Sequence, residues 1–218
     1  MMPLLTALLI TLAAHALARL AGQRWPRLPV VVVSLLLVIA LLALLRWPYA
    51  HYMQHIGPMF SHLLGYVTVA LAIPLAAMRL DDLPLKRLGG LLLIATLMGA
   101  LLPMSLAYAL HLSHPTVLAF ATRAVTTPIA LNIATLIQAP LALASLIVII
   151  SGVIGAALSP LLLHRLNDER AAGLALGLAA HAIGTVEAWQ RGPVAGRYAA
   201  FGMAINGLIT AIWVPLLF

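Results

Sequence analysis

The chain has 218 residues, of which 64% are hydrophobic and only 8% charged, and its mean hydropathy is +1.10. A soluble domain has about 45–50% apolar and about 25% charged residues, so this composition excludes a soluble globular protein and predicts an integral membrane protein. The 12 Lys and Arg residues exceed the 5 Asp and Glu residues, which gives a net charge of +7. They stand singly between apolar runs, which favours anchoring at the surface of a lipid bilayer and excludes the clustered basic stripe of a nucleic-acid-binding protein.

Seven apolar runs are predicted to be membrane-spanning helices, each of which needs roughly 20 residues. In chain order they are residues 4–20, 28–45, 60–78, 88–110, 141–163, 171–188 and 198–217. The first is interpreted as a retained helix, because no small-residue cleavage site follows it. Between the runs, the sequence predicts a surface loop at 50–61, a charged loop at 79–87, a loop at 164–170 and a turn at 190–196.

Residues 116–138 are apolar at both ends but polar in the middle. The interrupting residues are Thr122, Arg123, Thr126, Thr127, Pro128 and Asn132. Proline breaks a backbone hydrogen bond, and irregular backbone at membrane depth survives only where protein or a water-filled cavity covers it. The segment is therefore either a re-entrant hairpin or a broken helix that lines a pathway. The predicted fold is an all-α, polytopic transmembrane bundle of 7 or 8 spans in a single domain over residues 1–218.

The basic residues of the first half predict an N-terminus outside the cell. With that orientation the loops after the first and third spans face the cytoplasm, where positive charge is favoured. They carry Arg19, Arg24, Arg27, Arg79, Lys86 and Arg87, against Arg46 alone on the far side. The second half is undecided, because Arg165 with Arg170 and Arg191 with Arg197 put two charges in each of two successive loops.

Arg123 is the first candidate for binding a ligand. Its guanidinium group can hold a carboxylate by two parallel hydrogen bonds, helped by the hydroxyl groups of neighbouring threonines. The alternative is an Arg that extends from the end of a segment to the lipid headgroups. Pro128, after two threonines, either breaks a helix and frees backbone groups for a substrate or only kinks it. The predicted substrate-binding residues are Arg123, Thr126, Thr127, Pro128, Asn132, Thr185 and Asn206.

His181 and Glu187 are predicted to respond to protons. They are six residues apart, so one regular helix face does not hold both, but a break at Gly184 and Thr185 brings them to one cavity. The alternative is a histidine bonded to a backbone carbonyl and a glutamate in the outer loop. Gly173, Gly177 and Gly184 lie on one helix face and predict close helix packing, which is also an alternative role for Asn206.

Cofactors, metals and enzyme activity are not expected. The chain has no cysteine, which removes disulfides and thiolate ligands together. Its histidines show no metal-ligand spacing with carboxylates; His51 and His55 are four residues apart but fall in the predicted loop at 50–61. A phosphate-binding loop, a G-x-S-x-G elbow and an H-E-x-x-H motif are all missing from the sequence.

Several stretches, in order and spacing, resemble the LrgB/CidB family. They are LGYVTVALAIPL at 64–75, AVTTPIA at 124–130, GVIGA at 152–156, GLALGLAAHAIGT at 173–185 and NGLITA at 206–211. The chain departs from the family pattern before the second of these. Thr122, Arg123 and Ala124 stand where P-K-S is usual, and Glu187 stands close to where a basic residue is often found.

The resemblance implies two functions of different classes. Bacterial members are described as holin-like regulators of murein hydrolase activity and cell lysis, whereas a plastid relative is a glycolate/glycerate translocator and some bacterial members are linked to pyruvate uptake. It also implies a small holin-like membrane partner, a homo-oligomer and a location in the bacterial plasma (inner) membrane. A basic residue beside a broken, hydroxyl-rich segment favours a secondary transporter of small monocarboxylates, because a lytic pore gains little from it.

Overall fold

The computed structural model describes residues 2–25, 30–70 and 85–218. In these ranges the regular secondary structure is entirely helical, which confirms the all-α fold class. The helices found there are α1 (Met2–Arg24), α2 (Val30–Leu44), α3 (Tyr49–Ala70), α4 (Leu85–Ala109), α5 (His114–Phe120), α6 (Thr127–Leu136), α7 (Leu141–Leu162), α8 (Glu169–Arg191) and α9 (Pro193–Leu217). Residues 71–84, with the end of the predicted third span and most of the charged loop, lie outside the described residues.

Two compact units divide the chain, Met1–Val67 and Thr68–Phe218. In the first unit, Ala7 and Ile10 of α1 pack with Leu42 of α2 and with Tyr52 and Ile56 of α3. The hydroxyl groups of Thr11 and Tyr52 also share a hydrogen bond of 2.7 Å. These contacts join α1, α2 and α3 around one small core.

The predicted surface loop at 50–61 is wrong, because α3 runs through it. Tyr52 and Ile56 are one helical turn apart and both are buried, so an amphipathic helical face was present among the polar residues. His51 and His55 line an exposed face of the same helix. Nε2 of His51 lies 3.2 Å from Nε2 of His55, and Nε1 of Trp47 donates to Nδ1 of His51.

In the second unit, α4 and α9 run parallel. Leu88 and Leu92, near the start of α4, pack with Phe201 in the first half of α9. Farther along α4, Gly99 approaches Ala124, whose carbonyl oxygen accepts a hydrogen bond from Asn206 of α9. Contacts therefore advance along both helices in the same direction.

Helix α7 runs the opposite way. The first part of α8 lies parallel to α9, since a Cβ atom at Gly173 would strike Ala195 and one at Gly177 would strike Ala199. The start of α8 therefore lies beside the start of α9. A loop of six residues, 163–168, joins α7 to this point, so the end of α7 lies there too. Since α7 is a continuous helix of 22 residues, it begins at the opposite end of the unit.

Helix α8 folds back on itself. A straight helix would separate Glu169 from Arg191 by about 33 Å, yet Nη2 of Arg191 lies 3.4 Å from Oε1 of Glu169. Gly184 lies against Leu176, which is eight residues earlier. The reversal occurs at His181, whose φ of 40° and ψ of −126° are not helical. The element is therefore a hairpin, here called the α8 hairpin, with a first arm at 169–180 and a second arm at 182–191.

The α8 hairpin corrects two predictions. The run 171–188 is not one straight span, and the predicted turn at 190–196 shrinks to Gly192, because α8 ends at Arg191 and α9 begins at Pro193. Five described helices, α1, α4, α7, α8 and α9, are long and apolar enough to cross a membrane. Because α8 turns back at its middle, its length does not measure a crossing, and the predicted 7 or 8 spans are not confirmed.

Residues 116–138 also form a hairpin. Helices α5 and α6 are half-helices joined by the irregular segment 121–126. Helix α5 begins where α4 ends, and α6 ends where α7 begins, and these two points lie at the same end of the unit. Of the two predicted alternatives, the geometry of the described residues favours a hairpin, here called the α5–α6 hairpin.

The two ends of the second unit differ in charge. One end, here called the basic end, holds the loop 163–168, Gly192 and the first turn of α4; its basic residues are Lys86, Arg87, Arg165, Arg170, Arg191 and Arg197. The other, here called the neutral end, holds the loops 110–113 and 137–140 and Phe218, without Lys or Arg. At the basic end Asp168 caps α8. The backbone N–H of Arg170 donates a hydrogen bond to the Asp168 carboxylate and so lowers the pKa of that group.

Candidate functional site

The irregular segment 121–126 is the tip of the α5–α6 hairpin, and hydrogen bonds join it to three other helices. Ser151 of α7 donates to the carbonyl oxygen of Arg123 at 3.0 Å. Asn206 of α9 donates to the carbonyl oxygen of Ala124. Nε of Arg123 itself donates to the carbonyl oxygen of Gly99 in α4 at 3.3 Å. These bonds replace the helical ones that the break removes.

His181 is the tip of the α8 hairpin. Its Nε2 lies 3.0 Å from the carbonyl oxygen of Val148 and donates to it, since a carbonyl can only accept. Its own carbonyl accepts from the hydroxyl of Thr185 at 2.8 Å. The ring fills the space left by Gly152, where a Cβ atom would lie 2.5 Å from the imidazole Cε1. The predicted break at Gly184 and Thr185 therefore lies three to four residues earlier, at His181.

Both tips are bound to the same turns of two helices. On α7, Val148 contacts the α8 tip and Ser151, three residues later, contacts the α5–α6 tip. On α9, Sδ of Met203 lies 3.7 Å from the hydroxyl oxygen of Thr185, in the first turn of the second arm, and Asn206, three residues later, reaches the α5–α6 tip. The two hairpins thus enter the second unit from opposite ends, and their tips lie at the same depth within it.

Most hydrogen-bond acceptors around the α5–α6 tip have a donor, whereas some hydroxyl donors have no acceptor. Among the described residues, three threonine hydroxyls are buried without a hydrogen-bond partner: Thr96, Thr126 and Thr210. Thr126 is the N-cap of α6 and makes no side-chain capping bond. Thr96 lies one turn before Gly99 on α4, and Thr210 lies one turn after Asn206 on α9. Free donors beside a helix N-terminus suit an anion, since that end of the helix dipole is positive.

The predicted substrate-binding residues divide into two groups. Arg123, Thr126, Thr185 and Asn206 lie at the tips or bond to them. Thr127 and Pro128 form the first turn of α6 and are partly buried. Asn132 lies on the same helix, but its side chain is exposed.

Of the two predicted proton-coupling residues, only His181 lies at a tip. Glu187 is on the second arm, about 9 Å along the helix toward the basic end, and is partly exposed. The packing glycines also divide: Gly173 and Gly177 face α9, whereas Gly184 faces the first arm of its own hairpin.

Four residues around the α5–α6 tip are not among the predicted ones. These are Thr96, Gly99, Ser151 and Thr210. Thr96 and Gly99 sit in an uninterrupted apolar helix, where a small or hydroxyl residue carries no spacing signal. Ser151 immediately precedes the stretch GVIGA, which gave the only hint.

A family model described as the LrgB-like family matches residues 11–218. The chain belongs to this family. The match confirms the resemblance noted in the sequence, and as a family member with several long apolar helices the chain is an integral membrane protein.

Relatives of this LrgB-family protein cover almost its whole length. YwbG of Bacillus subtilis is 29% identical over 98% of this chain and 96% of its own, and YxaC of the same organism is 30% identical over 96% and 93%. "Holin-like protein CidB" of Staphylococcus aureus is 26% identical over 98% and 95%. No solved structure matches the chain.

Proposed function

We propose that this LrgB-family protein is a secondary transporter of small monocarboxylates of the glycolate, glycerate or pyruvate type, coupled to protons. One observation carries the proposal: Arg123 lies partly buried in a break between half-helices, with the unpartnered, buried hydroxyl of Thr126 at the N-terminus of α6. A guanidinium group, a hydroxyl and a helix N-terminus are all donors or positive groups. They match a carboxylate better than a metal ion or a neutral solute.

The roles of the residues follow from this placement. Arg123 neutralises the carboxylate, and Thr126 and Thr127 donate to its oxygens. His181 changes its protonation together with Glu187, which makes movement of the α8 hairpin sensitive to protons. The chain acts without a cofactor and not as an enzyme.

The basic end is proposed to face the cytoplasm of a bacterium, in its plasma membrane. Cytoplasmic loops carry an excess of Lys and Arg, and among the described residues of the second unit all of these except Arg123 lie at the basic end. In this orientation Phe218 lies outside. The N-terminus is proposed to lie outside as well, from the charges of the first half.

Uptake into proteoliposomes tests the transporter. We expect saturable uptake of labelled glycolate or pyruvate, and a loss of about 10- to 100-fold in Arg123→Ala, because a hydrogen bond to a charged group contributes about 1.5–3 kcal/mol. Arg123→Lys should fall between, since an ammonium group cannot form the bidentate pair. Arg197→Ala is the matched control, because this exposed side chain bonds only the carbonyl of Pro193 in its own helix. Equal flux in Arg123→Ala and wild type would reject the role of Arg123.

A holin-like protein that regulates murein hydrolase activity and lysis is the second candidate. It is supported by the similarity to the protein named "Holin-like protein CidB". This function involves a small holin-like membrane partner and a homo-oligomer. It predicts leakage of dyes from liposomes that does not saturate, ignores the identity of the anion and persists in Arg123→Ala.

A further inference from the structure

We propose that the anion site has two walls, the tip of the α5–α6 hairpin and the tip of the α8 hairpin. Movement of the α8 hairpin opens the site toward the basic end. The proposal rests on the proposed function, which places the carboxylate at the α5–α6 tip. It adds a second substrate-contacting element, around His181 and Ala182, and assigns each hairpin the access route from its own end.

The shared anchoring of the two tips supports a single site. One turn of α7 holds both tips, through Val148 and Ser151, and one turn of α9 contacts the first turn of the second arm through Met203 and the α5–α6 tip through Asn206. An anion bound at Thr126 therefore lies at the depth where the α8 hairpin ends. The half-helices that start at this depth, α6 and the second arm, both present their N-termini there, so their dipoles attract the same negative charge.

The α8 tip is held in a conformation that needs support. His181 has a φ of 40°, a region that favours glycine, and such strain persists only where the surroundings maintain it. The support is specific: the bond from the imidazole to Val148 and the close fit of the ring against Gly152. Both contacts are to α7, so releasing them frees the tip from the helix that also holds the α5–α6 tip.

The base of the α8 hairpin is closed by a different set of contacts. Arg191 bonds Glu169 at 3.4 Å and the carbonyl oxygen of Leu166 at 3.3 Å, so the two arms and the preceding loop are joined. Gly184 lets the second arm pack directly on Leu176 of the first. The two arms are thus bound to each other, the first arm also packs on α9 through Gly173 and Gly177, and the imidazole ring at the tip is bound to α7. Because the arms are joined, the hairpin moves as one gate.

Cysteine labelling tests the two walls, because the natural chain has no cysteine. In oriented vesicles, Ala182→Cys should react with a membrane-impermeant maleimide added on the side of the basic end. Thr127→Cys should react from the side of the neutral end. Asn167→Cys and Ser113→Cys, in exposed loops at the two ends, identify each side. Saturating glycolate should slow both tip reactions severalfold and leave both loop reactions unchanged.

The outcomes separate this proposal from the proposed function. If uptake depends on Arg123 and glycolate protects Thr127→Cys but not Ala182→Cys, the transporter stands and the second wall is rejected. Labelling of Ala182→Cys only from the neutral side also rejects it. If uptake does not depend on Arg123 and neither cysteine is protected, both proposals fall.

His181→Gly provides a second test that does not depend on the ligand. Glycine tolerates the positive φ but removes the bond to Val148, so the hairpin should form with a looser tip. We expect Ala182→Cys to react about two- to tenfold faster in this background, which is the factor that one hydrogen bond carries. Labelling at the unchanged rate would show that the ring does not hold the tip and would contradict the gate.

Discussion

Arg123 differs from the other basic residues that the structure describes by its place in the backbone, not by its type. It lies in the tip of a hairpin and contacts the carbonyl of Gly99, whereas Arg165, Arg170, Arg191 and Arg197 lie at the basic end. The sequence distinguishes Arg123 because an Arg between apolar runs is expensive at membrane depth and needs a partner. It did not identify that partner, because a backbone carbonyl has no signature in the sequence.

The glycines divide into those where an added Cβ atom would meet the backbone of a neighbouring helix and those where it would not. Gly177→Ala should destabilise the protein by about 1–3 kcal/mol, because its Cβ would overlap the backbone of Ala199. Gly90→Ala is the control, since no atom of the described residues lies within 4 Å of its Cβ position, and should be neutral or stabilising by up to about 1 kcal/mol. Midpoints of thermal aggregation in detergent measure the difference. Equal midpoints for the two variants would contradict the packing of α8 on α9.

Among the elements, α8 shows how composition misleads. Residues 171–188 have the length and hydropathy of a span, and no proline or charge marks their middle. The reversal depends instead on Gly173, Gly177 and Gly184, which allow α9 and both arms to approach closely. Their four- and seven-residue spacing predicts one packing face, but only for a straight helix.

The hairpin makes a prediction about sidedness. Asn167→Cys and Gln190→Cys should react with an impermeant thiol reagent from the same side of the membrane, because the two arms of α8 begin and end at the basic end. A straight span through 171–188 places them on opposite sides. Ser113→Cys and Gln138→Cys should likewise share the other side, if α5 and α6 form a hairpin. Opposite labelling within either pair would reject the corresponding hairpin.

For the whole molecule, the reversal within α8 decides how the basic residues of the second half are distributed between the two ends, which the sequence left open. With a straight span, the pairs Arg165 with Arg170 and Arg191 with Arg197 would lie on opposite sides and cancel as topology signals. With the hairpin, all four lie at the basic end together with Lys86 and Arg87. The neutral end keeps histidines, a glutamine and the C-terminus. One direction in the membrane is therefore strongly favoured.

A reporter fused after Phe218 tests this orientation. We expect a C-terminal reporter that is active only outside the cytoplasm to be active, and a cytoplasmic reporter at the same position to be silent. A fusion after Asn167 should give the reverse result, because the loop 163–168 lies at the basic end. A cytoplasmic C-terminus would contradict the assignment of the basic end.

By itself, the sequence determined the membrane class, the family, the broken segment at 116–138 and the special status of Arg123. Composition, hydropathy and motif order are properties of single residues and short stretches, so the chain displays them without being folded. Only the tertiary structure decided that the run at 171–188 turns back, that Thr96, Ser151 and Thr210 join the site, and that two tips meet on α7 and α9. These facts depend on backbone contacts between residues far apart in the chain, and such contacts have no local pattern from which to be inferred.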